Sequence, residues 1–306
     1  MKGLELSRAL FDECLRPRLE AEAPQLLPQL AAGLVGEGSE CFGFDDEQSR
    51  DHDWGAGLCL WLTDDAPAEA AAALDALLGT LPERFRGVPL RVRAQGRTGI
   101  FRVGSFYRAL TGRPDAPDTA EDWLAVPEPS LAAATNVEVF YDGAGAFSAV
   151  RGRLLGYYPE DVRLVRLAQC AAVAGQTGQY NYARCLIRGE RAAAQVIRGR
   201  FLENAAALVF LLNRRYRPFY KWTWRALRAL PLLGAETDAA AEKLAELPDG
   251  PEAAYVMEGA AAAIAAQLRE QGLSGSGSDF LMDHIGALLG GVRDEKLRAR
   301  GISLIF

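Results

Sequence analysis

The sequence predicts a small α/β domain over residues 1–150, followed by a helical-bundle domain over residues 151–306. Three observations predict this division. Short apolar runs alternate with helical patterns up to about residue 150, whereas apolar residues recur at helical spacing after it. The chain of 306 residues, 49% hydrophobic and 24% charged, is also long enough to bury two cores.

The first half alternates between helix and strand patterns. In order, its predicted elements are helices over residues 5–16 and 24–35, a strand within residues 58–62, a helix over 67–81, strands between 82 and 103, and short helices over 105–112 and 119–126. Pro17 and Pro24 separate the first two helices because proline interrupts helical hydrogen bonding. Residues 58–62 are apolar and bulky, which favours a buried strand.

The second half is dominated by helical periodicity. Its predicted helices cover residues 159–173, 189–216, 237–247, 251–271 and 279–298. Residues 272–278 alternate glycine and serine after Leu273 and are predicted to be a flexible connector. A helix bundle is the simplest way to pack such a series.

Composition narrows the class of protein. The net charge of −6 disfavours a general nucleic-acid binder, although nucleic acid stays open as a partner. Residues 84–102 and 214–228 each carry six basic residues, which suit triphosphates or a polyanion, or form solvated faces. No apolar run reaches membrane-spanning length and the first residues lack the apolar core of a signal peptide, so a cytoplasmic protein without membrane partners is expected.

The five cysteines are scattered, with no Cys-x-x-Cys pair. This pattern predicts neither a disulfide framework nor a zinc site. Packed, reduced thiols are the expected state, in keeping with a cytoplasmic location.

Two carboxylates precede the predicted strand at residues 58–62. Asp51 and Asp53 are separated by His52, so an extended chain would place both carboxylates on one face. Two adjacent carboxylates repel unless a proton or a cation lies between them. Mg²⁺ is the natural cation because it takes oxygen ligands and binds one or two protein carboxylates together with substrate phosphates.

Gly38 and Ser39 lie upstream of this pair. Small residues let backbone amides approach an anion closely, which predicts a phosphate-binding loop. The polar stretch between Ser39 and Asp51 is long enough to bring the loop beside the carboxylates. A metal next to bound phosphates is what phosphoryl or nucleotidyl transfer requires.

Residues 38–55 read Gly-Ser-Glu-Cys-Phe-Gly-Phe-Asp-Asp-Glu-Gln-Ser-Arg-Asp-His-Asp-Trp-Gly. A Gly-Ser pair, such a spacer and an Asp-x-Asp leading into a strand resemble the polymerase-beta-like nucleotidyltransferase superfamily. The full motif of residues 38–55 resembles that of a bacterial family of nucleotidyltransferase-like proteins with a helical C-terminal half. Residues 139–162 and 211–222 also match that family, so the resemblance spans residues 36 to about 225.

The resemblance implies a metal-dependent transfer of a nucleoside monophosphate from a nucleoside triphosphate, with ATP the first choice, to the hydroxyl of an unidentified acceptor. Gly38 and Ser39 would bind the nucleotide, and Asp51 and Asp53 would hold Mg²⁺ and serve catalysis. The superfamily uses a third carboxylate, yet residues 88–103 contain no acid. Asp142 is the first candidate for that role and Glu138 is the other, while Asp142-Gly143 is also typical of a hairpin turn.

The helical domain of related enzymes holds the acceptor and contributes a basic residue to the triphosphate. By that resemblance Lys221 is a nucleotide ligand, and Tyr182, Arg188 and Glu190 are substrate-binding candidates. Interhelical packing of the aromatic residue and an ion pair between Arg188 and Glu190 are the structural alternatives. A degenerate scaffold that binds nucleotide or a partner protein without catalysis is the alternative function.

Overall fold

A computed structural model describes residues 1–50, 54–92, 98–136 and 138–300. The described residues fall into two compact units. The first unit comprises Met1–Asp118 with Ala125–Gly156, and the second comprises Thr119–Leu124 with Tyr157–Phe306. The division into two domains at residue 150 stays a prediction.

The described residues of the first unit contain a four-stranded mixed sheet. Its strands are β1 Leu30–Gly33, β2 Cys59–Leu62, β5 Gly99–Arg102 and β6 Val139–Asp142, and β3 Arg84–Phe85 pairs separately with β4 Val88–Pro89. The order across the sheet is β5-β2-β1-β6, with β1 antiparallel to β2 and β6 and with β2 parallel to β5. The strand predicted within residues 58–62 is confirmed.

Strand β1 lies where a helix over residues 24–35 was expected, and that expectation is wrong. The chain forms a short 3-10 helix over Pro24–Gln29 and then enters β1, whose four residues are all buried. Short apolar runs fit a buried strand as well as a helix, so periodicity alone does not separate the two. Pairing with β2 on one side and β6 on the other decides the conformation.

Helices cover both faces of the sheet. The helices of this unit are α1 Gly3–Leu10 and α2 Arg16–Glu22, joined by a π-helical segment Phe11–Leu15, then α3 Ala68–Leu78, α4 Val103–Thr111, α6 Glu128–Thr135 and α7 Ala146–Leu155. Leu60 packs in one core with Leu6 and Leu10 of α1. Trp61 points to the opposite face, where its ring lies 5.2 Å from Phe106 and 3.9 Å from Phe147.

The described part of the second unit is a bundle of helices. Its helices are α5 Ala120–Ala125, of which residues 120–124 belong to this unit, α8 Glu160–Ala174, α9 Tyr182–Ile187, α10 Arg191–Leu212, α11 Tyr220–Leu227, α12 Gly234–Glu246, α13 Pro251–Glu270, α14 Ile285–Gly290 and α15 Glu295–Ala299. Helix α10 is central, because it packs against α8, α9, α12 and α13. Residues 205–212 of α10 are buried without interruption, which explains their wholly apolar sequence.

The C-terminal part differs from the sequence prediction at two places. Instead of one helix over residues 279–298, the chain forms a 3-10 turn Leu281–His284 followed by α14 and α15. The predicted flexible connector is held in place, since the carbonyl of Ser278 accepts hydrogen bonds from Arg269 at 2.8 Å and the buried His284 at 2.9 Å.

Candidate functional site

The glycine–serine loop, residues 36–39, follows the C-terminal end of β1. Gly33 at that end is in register with Cys59 at the start of β2 and with Val139 at the start of β6. The parallel pairing of Cys59 with Gly99 adds the start of β5 to the same edge. The loop, the chain that enters β2 and the residue before β6 therefore share one edge of the sheet.

The side chain of Asn136 fixes the start of the loop. Its Nδ2 donates to the Gly36 carbonyl at 2.7 Å, and its Oδ1 accepts from the Gly36 amide at 3.3 Å. Gly36 has φ of 148°, a conformation that side-chain-bearing residues rarely adopt. The backbone N–H and C=O of Gly36 are therefore both hydrogen-bonded to Asn136, which lies 100 positions away in the sequence.

The end of the loop turns into a short 3-10 helix, Glu40–Phe42. The Gly38 carbonyl accepts from the Cys41 amide at 3.0 Å, and the Ser39 carbonyl accepts from the Phe44 amide at 2.8 Å. These bonds orient the peptide groups of Gly38 and Ser39 without using the Ser39 hydroxyl, whose distance to Glu40 Oε2 is 3.4 Å.

Glu40 places a negative charge beside the loop. A Cβ at residue 38 would overlap with Glu40 Oε1, so the carboxylate occupies the space that a side chain at residue 38 would take. A carboxylate here repels a phosphate unless a cation lies between the two. No role is predicted for Glu40 from the sequence, although Glu40 is part of the Gly-Ser-Glu motif.

Asp45 anchors the segment that follows. Its side chain is only 4% exposed, and its Oδ2 accepts from the Gly3 amide at 2.8 Å and from Trp54 Nε1 at 3.2 Å. The Lys2 ammonium lies 3.6 Å from Oδ1 and donates to the Asp45 carbonyl. A carboxylate at the first residue of α1 also suits the helix dipole. Asp45 thus ties the motif to the N-terminal helix.

The predicted metal ligands Asp51 and Asp53 lie outside the described residues, as does His52 between them. The neighbours on either side are described. The Arg50 guanidinium lies 4.9 Å from the centre of the Trp54 ring, a cation–π contact, and the Trp54 indole binds Asp45. Anchored residues therefore flank the predicted pair.

The two candidates for the third carboxylate lie at opposite ends of β6. Glu138 precedes Val139 at the edge that carries the glycine–serine loop, and its carboxylate pairs with Arg8 at 3.1 Å. Asp142 lies about 13 Å further along the strand at ordinary strand rise. Its Oδ2 accepts from the Ser148 amide at 2.8 Å, near the start of α7. A helix, not a hairpin, follows the Asp142-Gly143 pair.

Within the second unit, Tyr182 belongs to a hydrogen-bonded cluster. Its side chain is fully buried, and its hydroxyl donates to Asp249 Oδ1 at 2.8 Å. Gln195 donates to Asp249 Oδ2 at 2.7 Å, and the Arg198 guanidinium lies 3.4 Å from Oδ1. This geometry favours interhelical packing over substrate contact for Tyr182.

Burial and the bond to Asp249 raise the pKa of Tyr182 above its ordinary value. Burial acts to raise the pKa of Asp249 as well, but the hydrogen bonds from Tyr182, Gln195 and Arg198 outweigh it and hold that pKa below its usual range. Asp249 is therefore ionised when the cluster is formed at neutral pH.

Arg188 and Glu190 lie between α9 and α10, and both are exposed. Arg188 directly follows α9, and Glu190 directly precedes α10. Their roles in substrate binding stay predictions. Lys221, on the first turn of α11, is also exposed, and its ammonium lies 5.2 Å from the centre of the Trp222 ring.

Among the described residues, no group of three or more His, Cys, Asp or Glu side chains is arranged to hold a metal ion. The predicted Mg²⁺ ligands fall outside that part of the chain. Among the described helices, none is long and apolar enough to span a membrane. Cys59 is buried in β2, and burial raises the pKa of its thiol to about 12, which leaves it unreactive.

Comparison with known proteins gives two findings. The model of a domain of unknown function, DUF4037, matches residues 123–223, about a third of the chain. The structure of a nucleotidyltransferase-like protein from Exiguobacterium sibiricum 255-15 is similar over 88% of this chain and 75% of that chain, with 12% sequence identity and a TM-score of 0.37. A TM-score this low does not establish a common fold. No curated protein matches the sequence.

Proposed function

We propose that the protein is a nucleotidyltransferase. It transfers a nucleoside monophosphate from a nucleoside triphosphate, ATP first, to an acceptor hydroxyl and releases pyrophosphate. The observation that supports this most is the shared sheet edge: the glycine–serine loop after β1, the chain that enters β2, and Glu138 before β6. The sequence motif of residues 38–55 supplies the chemistry expected at such an edge.

The roles follow from the chemistry of each group. Amides of Gly38 and Ser39 bind the triphosphate, and Asp51 with Asp53 supply the oxygen ligands that suit Mg²⁺. When bound, Mg²⁺ neutralises phosphate charge. A carboxylate near the acceptor draws off its hydroxyl proton as the oxygen attacks the α-phosphorus and the bond to pyrophosphate breaks.

Glu138 is the better-placed candidate for that carboxylate. It lies at the loop edge of the sheet, whereas Asp142 lies at the far end of β6 and binds the Ser148 amide. Its pairing with Arg8 links two side chains that are 39% and 60% exposed, so the pair contributes little stability and Glu138 is free to change partner.

The test compares Glu138→Gln with Asp142→Asn in an assay of pyrophosphate release from ATP and Mg²⁺ with a set of hydroxyl acceptors. We expect Glu138→Gln to lower the rate by about a hundredfold or more. We expect Asp142→Asn to keep the rate with little loss of stability, because an asparagine oxygen can also accept from the Ser148 amide. The double variant Asp51→Asn, Asp53→Asn should abolish release. Full activity in that double variant would end the assignment.

One observation favours the alternative function, a degenerate nucleotidyltransferase scaffold that binds nucleotide or a partner protein without catalysis. Residues 88–103, which include β5, contain no acid. Binding of ATP without pyrophosphate release, in wild type and in Glu138→Gln alike, is the result that this alternative predicts.

A further inference from the structure

Aromatic rings are exposed at the start of α11, on Tyr220 and on Phe219, the residue before the helix. Tyr220 is 69% exposed and Phe219 is 49% exposed, and their ring centres lie 4.2 Å apart. Single exposed aromatic residues are common, but two adjacent rings presented together form a surface that other flat rings can stack on. We call residues 219–222 together with Arg225 the α11 face.

Basic side chains lie beside the next aromatic ring of the helix, Trp222. The Lys221 ammonium is 5.2 Å and the Arg225 guanidinium 5.7 Å from the centre of the Trp222 ring. Positions 221 and 225 are four apart, so both side chains point to one side of the helix. Aromatic surface and positive charge are therefore interleaved over one and a half turns.

The charge around this face differs from that of the whole chain. Between Glu203 and Glu236 the sequence has six basic residues and no acid, in a protein with a net charge of −6. Acids from other elements neutralise part of it: Arg214 pairs with Glu160 at 2.6 Å, and Arg228 pairs with Asp238 at 2.6 Å. Lys221 is exposed beside the aromatic rings, and a polyanion is the complementary ligand.

We propose that the α11 face binds a single-stranded polynucleotide. Unpaired bases offer flat rings that stack on aromatic side chains, and the phosphates between them meet Lys221 and Arg225. A duplex hides its base faces, so it would use the charge alone. This inference does not rest on transfer chemistry, and it assigns to Lys221 a contact that requires no donor nucleotide.

The experiment measures binding of a fluorescently labelled, unstructured 20-nucleotide oligouridylate to the full chain by anisotropy, without Mg²⁺ or triphosphate. We expect binding that weakens about sevenfold between 50 and 200 mM salt, the effect of two phosphate contacts on a single strand. Tyr220→Ala should weaken it about tenfold through lost stacking. Lys221→Ala should make the slope of log affinity against log salt shallower by about 0.7.

Matched controls remove the same side chains from another surface of the second unit. Tyr255 is 78% exposed on α13, and Lys243 is exposed on α12, where it pairs with Glu252 at 3.3 Å. We expect Tyr255→Ala and Lys243→Ala to bind the oligonucleotide as wild type does. Equal loss in the controls and in the α11 variants would overturn the proposal, since the effect would then not belong to this face.

Three other results would overturn the proposal of polynucleotide binding. The first is absence of binding at 50 mM salt, and the second is equal competition by duplex RNA or by uridine monophosphate at the same nucleotide concentration. The third is binding to vesicles of 4:1 phosphatidylcholine and phosphatidylserine in place of the oligonucleotide. Because the assay contains no donor nucleotide, failure of the transferase proposal leaves its outcome unchanged, and its failure leaves the transferase proposal intact.

Discussion

At the scale of single residues, the Glu40 carboxylate is the charge that lies against the proposed nucleotide-binding loop. The carboxylate lies against Gly38, and a phosphate bound to the loop amides would meet this charge at short range. The substitution Glu40→Gln removes this charge and keeps the shape of the side chain.

We expect Glu40→Gln to tighten binding of ATP by about fivefold, because a like charge is removed from the binding position. Titration with and without Mg²⁺ measures the effect. Glu37→Gln is the matched control, since it removes the same charge from an exposed position of the same loop. Weaker binding of Glu40→Gln with Mg²⁺ would contradict this prediction and would indicate that Glu40 is a metal ligand.

Asn136 is a second residue whose effect is local. We expect Asn136→Ala to lower the free energy of unfolding by about 1–3 kcal/mol, because the two polar groups of Gly36 lose their partner. Affinity for nucleotide should fall with it, since Gly36 begins the glycine–serine loop. Denaturant unfolding and nucleotide titration measure the two effects.

The chain offers a close control in Asn213. Its Nδ2 donates to the Leu232 carbonyl at 2.8 Å, and its Oδ1 accepts from the Leu232 amide at 3.0 Å, the same arrangement in the second unit. Asn213→Ala should cost comparable stability and leave nucleotide affinity unchanged. A loss of affinity in both variants would mean that general destabilisation, not the position of the loop, lowers binding.

At the scale of elements, Asp249 joins three parts of the helical unit: Tyr182 begins α9, Gln195 and Arg198 lie on α10, and Asp249 itself lies between α12 and α13. The pKa of Asp249 is lowered in the folded protein. Its stabilising contribution is therefore complete above the unfolded pKa of about 3.9 and is lost as pH falls through the lower folded value.

We expect Asp249→Asn to destabilise the protein by about 1.5–3 kcal/mol at pH 7, since hydrogen bonds to a charged group are lost. The difference from wild type should shrink as pH is lowered below about 4, because the unfolded wild-type chain, and at lower pH the folded carboxylate, then takes up a proton and the charge no longer favours folding. Thermal melts at pH 7 and pH 3.5 measure it. A difference that grows at low pH would show that the carboxylate does not act through its charge.

The elements also show what the sequence could and could not predict. The strand at β2 was predictable because residues 58–62 are apolar on both faces, and both faces are covered by helices. The alanine-rich β1 was not, since its conformation depends on β6, which comes more than a hundred residues later. The hydrogen bonds between Asn136 and Gly36 likewise join residues far apart in the sequence, so no local sequence pattern predicts them.

At the scale of the whole molecule, ligand binding and unfolding are linked. Nucleotide that binds only the folded protein raises its stability, by about 2.7 kcal/mol at a hundred times the dissociation constant. The described residues form two compact units, so a melt can contain one transition or two. The two asparagine variants identify the transitions, because Asn136→Ala weakens the first unit and Asn213→Ala the second.

We expect ATP with Mg²⁺ to raise the midpoint of the transition that Asn136→Ala lowers, and the shift to disappear in Asp53→Asn. Scanning calorimetry of wild type and the three variants measures this, with ATP and EDTA as the reference. The reason is that the proposed loop and carboxylates belong to the first unit, so nucleotide binding stabilises that unit against unfolding. A shift confined to the transition that Asn213→Ala lowers would contradict the assignment of nucleotide to Gly38 and Ser39 and would favour Lys221 as its main ligand.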